Sequence, residues 1–595
     1  MRTIRAAIGL CAAACLSLSW ALSYVESSSG LEPPAMEGGR TELEFGDINE
    51  DGKVDIVSIG DHGNPYVNTD EHGIMVWFGD GQGNWTVYQY GDFGYGGIAV
   101  GDANWDGHLD VGYGMHHNYS GVDLGDSMVE VALGDGTGRN WTPWDDGLGP
   151  PPGTWGMFCT DFADMNNDGW LDLIASTFGS GDGLRAYLNN RDGTWTQCYN
   201  SPGGNSEMDV VFGDVNNDGN VDFAAGHQSG TVFFGNGAGS FTLADHNLPS
   251  PGNGGHTGVT LGDIDNDGSK ELAFTNASGG IEVWDWHADG DSWVSMRGTL
   301  PGSGAYEMVQ LCDMNSDGFL DVVAFGSHQG TVWTGDGAGN WTQAAGFSTP
   351  TPGYCQALRC GGDIDHNGFP DIVLVSDEGT WPSDRNHLRC FKEGSVAESL
   401  RVAPVFPRGG EHVWGGSVQF IDWFCAVPPA DTARVSLELS TTGSNGPWSV
   451  IADSLQNSGR FQWNVPNEPS ADCYVRYTAA SRHGVSIGVT PRPFTILRST
   501  AVGEPGSDPG PRHLNASVHP NPAQGRAVLT YDLPKPGLVR VSLSDAAGRL
   551  LFRRNQAASQ GRHTQPLDVR SLPSGVYFLR IQAADAECVR EVVVP

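Results

Sequence analysis

Short apolar runs alternate with acidic, glycine-containing segments over most of this chain, from about residue 41 to residue 400. One of these segments is preceded by MDVVF and followed by VDFAAG. Short runs that alternate or stay apolar, bounded by turn residues, predict β-strands. The pattern therefore predicts an all-β region in which each acidic segment joins two strands.

The acidic segments share one motif, D-x-[ND]-x-[DN]-G-x-x-[DE], which occurs seven times. Successive first aspartates are 55, 62, 50, 49, 50 and 50 residues apart, and such a period is typical of repeat architectures. A second, glycine-rich signature follows in the repeats, as in FGDGQGNWT from Phe78 and TGDGAGNWT from Thr334. It predicts a hairpin turn between two more strands. Four strands per repeat make one propeller blade, so the sequence predicts a seven-bladed β-propeller.

The motif also has the oxygen spacing of a calcium site. Calcium takes about six to eight oxygen ligands. Positions 1, 3, 5 and 9 offer side-chain oxygens, position 7 offers its backbone carbonyl, and glycine at position 6 permits the sharp turn. Without a cation, carboxylates about 5 Å apart repel by roughly 3 kcal/mol per pair at an effective dielectric constant near 20. The sequence therefore predicts up to seven Ca²⁺ ions, one per blade.

The predicted metal-binding residues occupy positions 1, 3, 5, 7 and 9 of each loop. They are Asp47, Asn49, Asp51, Lys53 and Asp55; Asp102, Asn104, Asp106, His108 and Asp110; Asp164, Asn166, Asp168, Trp170 and Asp172; Asp214, Asn216, Asp218, Asn220 and Asp222; Asp263, Asp265, Asp267, Ser269 and Glu271; Asp313, Asn315, Asp317, Phe319 and Asp321; and Asp363, Asp365, Asn367, Phe369 and Asp371. The alternative is an acidic turn that holds no metal. It applies best to the seventh loop, where Asn367 and Pro370 depart from the pattern.

An EF-hand needs a glutamate at position 12 and flanking helices. No copy has a carboxylate at that position, and the flanks are strand-like. The repeats instead resemble the FG-GAP/VCBS-type repeats of integrin-like β-propellers, over residues of about 41–400. The resemblance implies a calcium-binding propeller, which we assign to residues 31–403.

Two further units follow the repeats. Residues 404–497 read as short strands at the spacing of a β-sandwich, and PRGGEHVWGGSVQFIDW resembles immunoglobulin-like modules of bacterial surface proteins. A Gly/Pro/Ser-rich linker spans 498–514. Residues 515–595, with Asn521-Pro522 and the Ser574-Gly575-Val576-Tyr577 segment, resemble the C-terminal sorting domain of type IX secretion cargo or the FlgD-type Ig-like module. The resemblance implies a second small sandwich that binds secretion machinery; a plain stalk domain is the alternative.

Residues 1–23 combine a basic start, an apolar run and small residues, the pattern of a secretory signal peptide. No later run predicts a transmembrane segment. We therefore expect a secreted or surface-attached protein, in a compartment where disulfides can form. Candidate bridges join Cys360 to Cys390 and Cys425 to Cys473. The net charge of −39 argues against nucleic-acid binding, which requires a basic surface.

The sequence shows no catalytic constellation, and the metalloprotease motif H-E-x-x-H is absent. Loops opposite the acidic turns carry histidines that could line a shared ligand face, although hydrogen bonding to turn backbone is the alternative role; they are His62, His116, His117, His227 and His328. The leading hypothesis is a non-catalytic, calcium-stabilised propeller that binds an extracellular glycan or protein. The alternatives are a polysaccharide-active enzyme and a purely structural surface or stalk protein.

Overall fold

The computed structural model describes residues 22–594 apart from 32–35, 38–40, 60–72, 92, 95, 116, 119–123, 125–126, 150–156, 178–182, 202–205, 228–229, 250–257, 380–384, 500–514, 520–525, 534–536, 546–548, 559–560, 571 and 584–585. The chain divides into two compact units, Met1–Ser499 and Thr500–Pro595. Apart from one helical turn at Ala288–Gly290, the regular structure in the described residues is β-strand.

Seven antiparallel sheets form the blades of a β-propeller, as the sequence predicts. First strands of successive blades contact one another around a central channel, and blade 7 meets blade 1. From the channel outwards the strands are Glu44–Gly46, Asp55–Ile59, Ile74–Gly79 and Trp85–Tyr90 (blade 1); Ile98–Gly101, Asp110–Gly114, Val129–Gly134 and Trp141–Pro143 (blade 2); Met157–Ala163, Asp172–Thr177, Leu184–Asn189 and Trp195–Ser201 (blade 3); Ser206–Gly213, Asp222–His227, Gly230–Gly235 and Phe241–Leu243 (blade 4); Val259–Gly262, Glu271–Thr275, Ile281–His287 and Ser292–Ser295 (blade 5); Met308–Cys312, Asp321–Gly326, Gln329–Gly335 and Trp341–Ser348 (blade 6); and Gly353–Gly362, Asp371–Glu378 and Arg385–Glu393 (blade 7). A small extra sheet pairs Phe93–Gly94 with His117–Asn118.

The N-terminal segment supplies the outer strand of blade 7. Tyr24–Glu26 pairs antiparallel with Arg385–Glu393, and Met36–Glu37 pairs with the same strand. Leu22 is buried beside this blade. The propeller therefore begins ahead of the predicted boundary at residue 31, and it uses Leu22, which the predicted signal peptide includes. The rest of that peptide, residues 1–21, lies outside the described residues.

Tryptophans of the fourth strands connect neighbouring blades. Trp195 of blade 3 donates its indole N–H to the Trp144 carbonyl, which follows blade 2, at 2.7 Å. Trp341 of blade 6 donates to Met296 of blade 5 at 2.9 Å. Both rings are buried, so these two tryptophans pack the blade edges while their indole N–H groups are satisfied.

Carboxylates of the first strands also connect blades across the channel. Asp161 accepts a hydrogen bond from the Phe212 amide of the next blade at 2.8 Å. Glu42 accepts from two blades, through Thr160 N and Ile98 N, both at 3.0 Å. Such bonds satisfy backbone donors that no neighbouring strand reaches. The acidic channel is therefore part of the framework.

Residues 401–497 form a β-sandwich, here called the sandwich domain. One sheet contains Arg401–Phe406, Val418–Ala426 and Arg460–Asn464; the other contains His412–Trp414, Phe494–Leu497, Ser470–Ser481, Ala433–Ser440, Ser449–Leu455 and Gly484–Val489. Trp423, Tyr477 and Phe494 are buried between the sheets. The two-sheet fold agrees with the prediction, although its first strand begins within the range assigned to the propeller.

The candidate disulfides are absent. Cys360 and Cys390 lie on the first and third strands of blade 7, with Asp371–Glu378 between them, so their side chains are too far apart to bond. Cys425 and Cys473 lie in the two facing sheets of the sandwich domain and are also unbonded. All four thiols are buried.

The second unit is another small sandwich, as predicted. One sheet contains Asn515–His519, Arg526–Leu533 and Gly561–Asp568; the other contains Leu550–Ala558, Gly537–Asp545, Gly575–Ala583 and Ala586–Val594. Its core includes Tyr531, Val541 and Leu579. The predicted Asn521-Pro522 position lies outside the described residues.

Candidate metal sites at one end of the propeller

Each acidic loop connects the first strand of its blade to the second strand, so all seven loops lie at the same end of the propeller. Glycine at position 6 has a positive φ in every loop, between 83° for Gly52 and 105° for Gly268. Side chains other than glycine rarely adopt this backbone conformation. The glycine therefore turns the chain sharply enough to bring oxygens from both halves of the loop together.

Hydrogen bonds within the loop hold its carboxylates in place. In blade 4, Asp214 Oδ1 accepts from the Asp218 amide at 3.2 Å and Oδ2 accepts from the Gly219 amide at 2.8 Å. Asn216 Oδ1 also accepts from the Asp218 amide, at 3.0 Å. The same pattern at position 1 recurs in the other six loops. Positions 1 and 3 are thus oriented before any ion binds.

Position 9 has a second structural role. Asp222 Oδ2 accepts from the Val215 amide at 2.9 Å, and Oδ1 accepts from the Gly235 amide of the third strand at 2.8 Å. Five other loops make both bonds through their position-9 aspartates: Asp55, Asp110, Asp172, Asp321 and Asp371. The position-9 carboxylate therefore fastens the loop to the body of its blade.

The loops leave carboxylate oxygens facing one another. Asp263, Asp265 and Glu271 each place an oxygen within 4.8 Å of the others, and so do their counterparts in loop 7, Asp363, Asp365 and Asp371. Within the described residues, three loop carboxylate oxygens are buried without a hydrogen-bond partner: Asp168 Oδ1, Glu271 Oε1 and Asp365 Oδ1. Unpaired buried carboxylate oxygens are costly, and a hard divalent cation satisfies several at once. The donor set fits calcium.

Burial makes these carboxylates hard to ionise without a cation. It raises the pKa of Asp102 and of Asp214 to about 7. Burial, with the nearby Asp214 charge, raises the pKa of Asp222 to about 8. In each case the ordinary value is 3.8. A carboxylate cluster with such pKa values is electrostatically unfavourable when it is ionised and lacks a counter-charge.

Basic side chains neutralise the outer carboxylates of some loops. Lys392 Nζ lies 2.8 Å from Asp365 Oδ2, and Lys53 Nζ lies 3.0 Å from Asp51 Oδ2. Arg191 pairs with Asp168 in loop 3. In each of these three loops, a basic side chain therefore pairs with one carboxylate that a metal ion would also use as a ligand.

Position 4 connects neighbouring loops into two runs, loops 1–4 and loops 5–7, a role that the ligand spacing in the sequence did not reveal. Its residue adopts left-handed backbone geometry in every loop, with φ between 54° and 61°. Side chains from five loops bond to the next loop: Glu50 to His108, Trp105 to the Gly169 carbonyl, Asn167 to Asn220, Asn266 to the Gly318 carbonyl, and Ser316 to the Gly368 carbonyl. The signal was the polar or hydrogen-bonding residue present at position 4 of every copy.

The remaining two position-4 residues contact the sandwich domain. Asn217 donates to the Gly410 carbonyl at 3.0 Å and accepts from the His412 amide at 2.9 Å. The His366 carbonyl accepts from the Val427 amide at 2.7 Å. The sandwich domain therefore rests on the loop end of the propeller.

Four more hydrogen-bonded contacts extend this interface to loops 1, 2, 3 and 5. They are Gln456 to the Glu50 carbonyl, Gln462 to Asp102, the Val418 amide to Asp164, and Arg408 to Asn266. With the contacts of Asn217 and His366, six of the seven loops bond to the sandwich domain. Between this domain and the channel lies a cavity of about 420 Å³, lined by charged groups that include the Arg359–Glu44 and Arg460–Asp422 pairs.

The predicted histidine face is only partly described. His62 and His116 lie outside the described residues, and His117 and His227 lie in strands His117–Asn118 and Asp222–His227. His328 lies in the turn between the second and third strands of blade 6. Its Nδ1 is buried and, within the described part of the chain, has no hydrogen-bond partner. This turn leaves blade 6 at the end opposite the acidic loops.

Family models match both parts of the chain. Residues 164–225, 223–274, 263–324 and 313–374 match the FG-GAP-like repeat. Residues 517–595 match the secretion system C-terminal sorting domain. This chain contains FG-GAP-like repeats and a C-terminal sorting domain. The FG-GAP matches begin at the third loop, and the structure shows the same loop geometry in blades 1 and 2.

The sorting domain shows that this FG-GAP protein is exported, to the surface or the medium, and implies contact with secretion machinery. No helix in the described residues is long and apolar enough to cross a membrane. A search of curated proteins gives no match.

Several solved structures align with the FG-GAP protein at low similarity. A lectin from Agrocybe aegerita, described for recognition of non-reducing terminal N-acetylglucosamine, is 18% identical over 52% of this chain and 81% of its own, with a TM-score of 0.34. A Lactobacillus plantarum protein is 11% identical over 59% and 94%, with a TM-score of 0.36. Saccharomyces cerevisiae Sqt1 is 10% identical over 75% and 98%, with a TM-score of 0.36. At these scores the alignments give no information on the ligand.

Proposed function

We propose that this exported FG-GAP protein binds calcium in its acidic loops and uses the opposite end of the propeller to bind an extracellular glycan or protein, without catalysis. One observation carries the proposal. The sandwich domain covers the loop end through contacts with six loops. The opposite end of the propeller is therefore the end that an external ligand can approach.

The calcium part rests on the loops. Positions 1, 3, 5 and 9 would hold the ion with their side-chain oxygens, and position 7 with its carbonyl. Side chains at position 7 support this division, because Asn220 Oδ1 is already used by Asn167 at 3.0 Å and by Trp414 at 3.1 Å. A bound ion would supply the positive charge that the buried carboxylates lack.

Calcium binding is tested on the full mature protein by titration calorimetry and by thermal melting. A ligand that binds only the native state stabilises by about 2.7 kcal/mol per site at a hundredfold excess over Kd. With several sites, excess chelator should lower the melting temperature by many degrees. An equal melting temperature in calcium and in chelator would refute the assignment. Magnesium serves as the control cation because it keeps its waters and prefers octahedral geometry.

The binding part is tested by applying the calcium-loaded protein to a glycan array and by assaying the bound glycans for release of products. Binding without turnover is the expected result. His328→Ala should weaken binding if the opposite end is used. Asn340→Ala, a change in the exposed hairpin beside the loop end, is the matched control. Release of shortened glycans would instead establish an enzyme.

A further inference from the structure

The sandwich domain reaches the predicted metal ligands themselves in two loops. The Val418 amide donates to Asp164 Oδ2 at 2.9 Å. Gln462 accepts from the Asp102 amide at 2.9 Å and donates to the Asp102 carbonyl at 2.8 Å. Asp102 and Asp164 occupy position 1 of their loops. Docking of the sandwich domain on these two loops therefore depends on where the position-1 residue lies.

In the four other loops that the sandwich domain contacts, the bond is made to position 4, as loops 4 and 7 show. Asn217 bonds to Gly410 and His412, and His366 bonds to Val427. Both position-4 residues have positive φ, 54° and 56°. Each of these loops holds this conformation through the bonds that its position-1 carboxylate accepts from the amides of positions 5 and 6. Any rearrangement of the carboxylates will therefore also move these contacts.

Docking of the sandwich domain buries the loop carboxylates but brings no positive charge to most of them. Asp102 is 8% exposed and Asp164 is 1% exposed in the docked state. The sandwich domain bonds to loops 1–4 and 7 through backbone groups and through glutamine, asparagine, histidine and tryptophan side chains. Among these described contacts there is no lysine or arginine. Burial of unbalanced carboxylates is strongly unfavourable. A cation inside each loop would remove that cost.

We propose that calcium occupancy of the loops and docking of the sandwich domain form one coupled equilibrium, in which calcium holds the domain on the propeller and keeps the loop end of the channel covered. This inference rests on the calcium binding proposed above. Coupling of two binding events is reciprocal, so docking must raise calcium affinity by the same factor by which calcium favours docking.

The first test is hydrogen exchange on the full mature chain, in excess calcium and in chelator, below the melting temperature in both conditions. Chelator should speed exchange in the interface segments 410–418 and 456–462. The acceleration there should exceed that in 322–326, within a buried strand of blade 6, and that in Ala433–Ser440, which is internal to the sandwich domain. Equal acceleration in all four segments would indicate general unfolding and would overturn the proposal, as would no acceleration at the interface.

The second test separates the coupling from calcium binding itself. Gln462→Ala removes both bonds to Asp102 while leaving every predicted ligand in place. It should weaken calcium binding at the affected site by about tenfold, since two neutral hydrogen bonds are lost. Gln462→Glu keeps an acceptor for the Asp102 amide but loses the donor to the Asp102 carbonyl. Its calcium affinity should therefore lie between those of the wild type and Gln462→Ala. Gln343→Ala, on the exposed outer strand of blade 6, is the matched control and should bind as the wild type does.

The outcomes distinguish this inference from the proposed function. If the wild type binds calcium but Gln462→Ala binds it equally well, the coupling is wrong and the calcium assignment stands. If the wild type binds no calcium, both are wrong. Reduced affinity in Gln462→Ala, together with selective exchange at the interface, supports the coupling.

Discussion

Neighbouring residues of one loop have different roles, as the loop of blade 4 shows. Asp222 combines a predicted ligand role with two backbone hydrogen bonds, to Val215 and to Gly235. Asn220 offers a carbonyl to the ion, while its side chain joins loop 3 and the sandwich domain through Asn167 and Trp414. The spacing of ligands in the sequence would identify only the calcium-binding role of each residue, not its structural hydrogen bonds.

Asp222→Ala should destabilise the propeller both with and without calcium. The change leaves two buried amides without their acceptor, at a cost of about 2–4 kcal/mol in total. In calcium the loss should be larger, because a ligand is also removed. Thermal melting in calcium and in chelator measures both effects. If the melting temperature in chelator is the same as that of the wild type, the fastening role of position 9 is wrong.

Asn220→Ala should also be destabilising, although it spares the backbone carbonyl. Two donors, from Asn167 and Trp414, lose their shared acceptor, which costs about 1–2 kcal/mol. The control is Ser269→Ala at the same position of loop 5, because the Ser269 side chain makes no hydrogen bond to the described residues. Chemical denaturation in calcium should separate the two variants. Equal stability of the two would show that the bonds of Asn220 contribute nothing.

At the scale of the loop, the shared property is a cluster of buried carboxylates with raised pKa values. Burial raises the pKa of Asp102 to about 7, and burial with the Asp214 charge raises that of Asp222 to about 8. A carboxyl whose pKa is raised on folding contributes stability below its unfolded value, here 3.8, and loses it as pH rises through the folded value. Each ion-free loop therefore opposes folding at neutral pH.

In chelator, the melting temperature should fall as pH rises from about 4 to about 8, because each loop must give up protons or hold unbalanced charge. In saturating calcium the decline should disappear, since the ion replaces the protons. Calorimetric melts across this range in both solutions provide the measurement. A parallel decline with and without calcium would show that the loops do not cause it.

The sequence predicted the loops and blades because both depend on local patterns. Alternating apolar positions set the strands, and the D-x-N-x-D-G spacing set the turn. The contacts between loops were not predictable in the same way. Trp105 and Asn266 reach glycine carbonyls of the following repeat, and which side chain lies against which carbonyl depends on how blades pack. The candidate disulfide of Cys360 and Cys390 failed for the same reason, because sequence proximity did not reveal the strand between them.

For the whole molecule, the decisive contacts join distant parts of the chain. The N-terminal segment holds blade 7 to blade 1: Ser27 bonds to Cys390 of blade 7, and the Ser27 and Leu31 carbonyls accept from Trp85 and Trp77 of blade 1. The sandwich domain then adds contacts to six loops. No local pattern in the sequence indicated either arrangement.

Deleting residues 22–31 should lower the melting temperature of the first unit by about 5 °C. The deletion removes two buried leucines, worth about 2 kcal/mol each, along with the outer strand of blade 7. Val25→Ser is the control, because Val25 is 58% exposed within the same segment. A truncated protein that melts with the wild type would show that the ring closes without this segment.

Deleting residues 515–595 should leave the calcium-dependent melting of the first unit unchanged, because these residues form a separate compact unit. In a host with the matching secretion system, the truncated protein should accumulate in the periplasm. Cell fractionation measures the location, and calorimetry measures the melt. Normal export of the truncation would show that the tail is not required for delivery.

The closure of blade 7 has a consequence for the order of events during synthesis. Glu26 and Arg389 form an ion pair although they are 363 positions apart, so the strand Tyr24–Glu26 lacks its strand partner until almost the whole propeller has been made. Contacts between such distant positions form late and slowly, because a long loop must close first. Until then the strand Tyr24–Glu26 stays unpaired, and unpaired strand edges invite pairing with other chains. The time between the start of translocation and the arrival of the seventh blade is therefore when this protein is most exposed to aggregation.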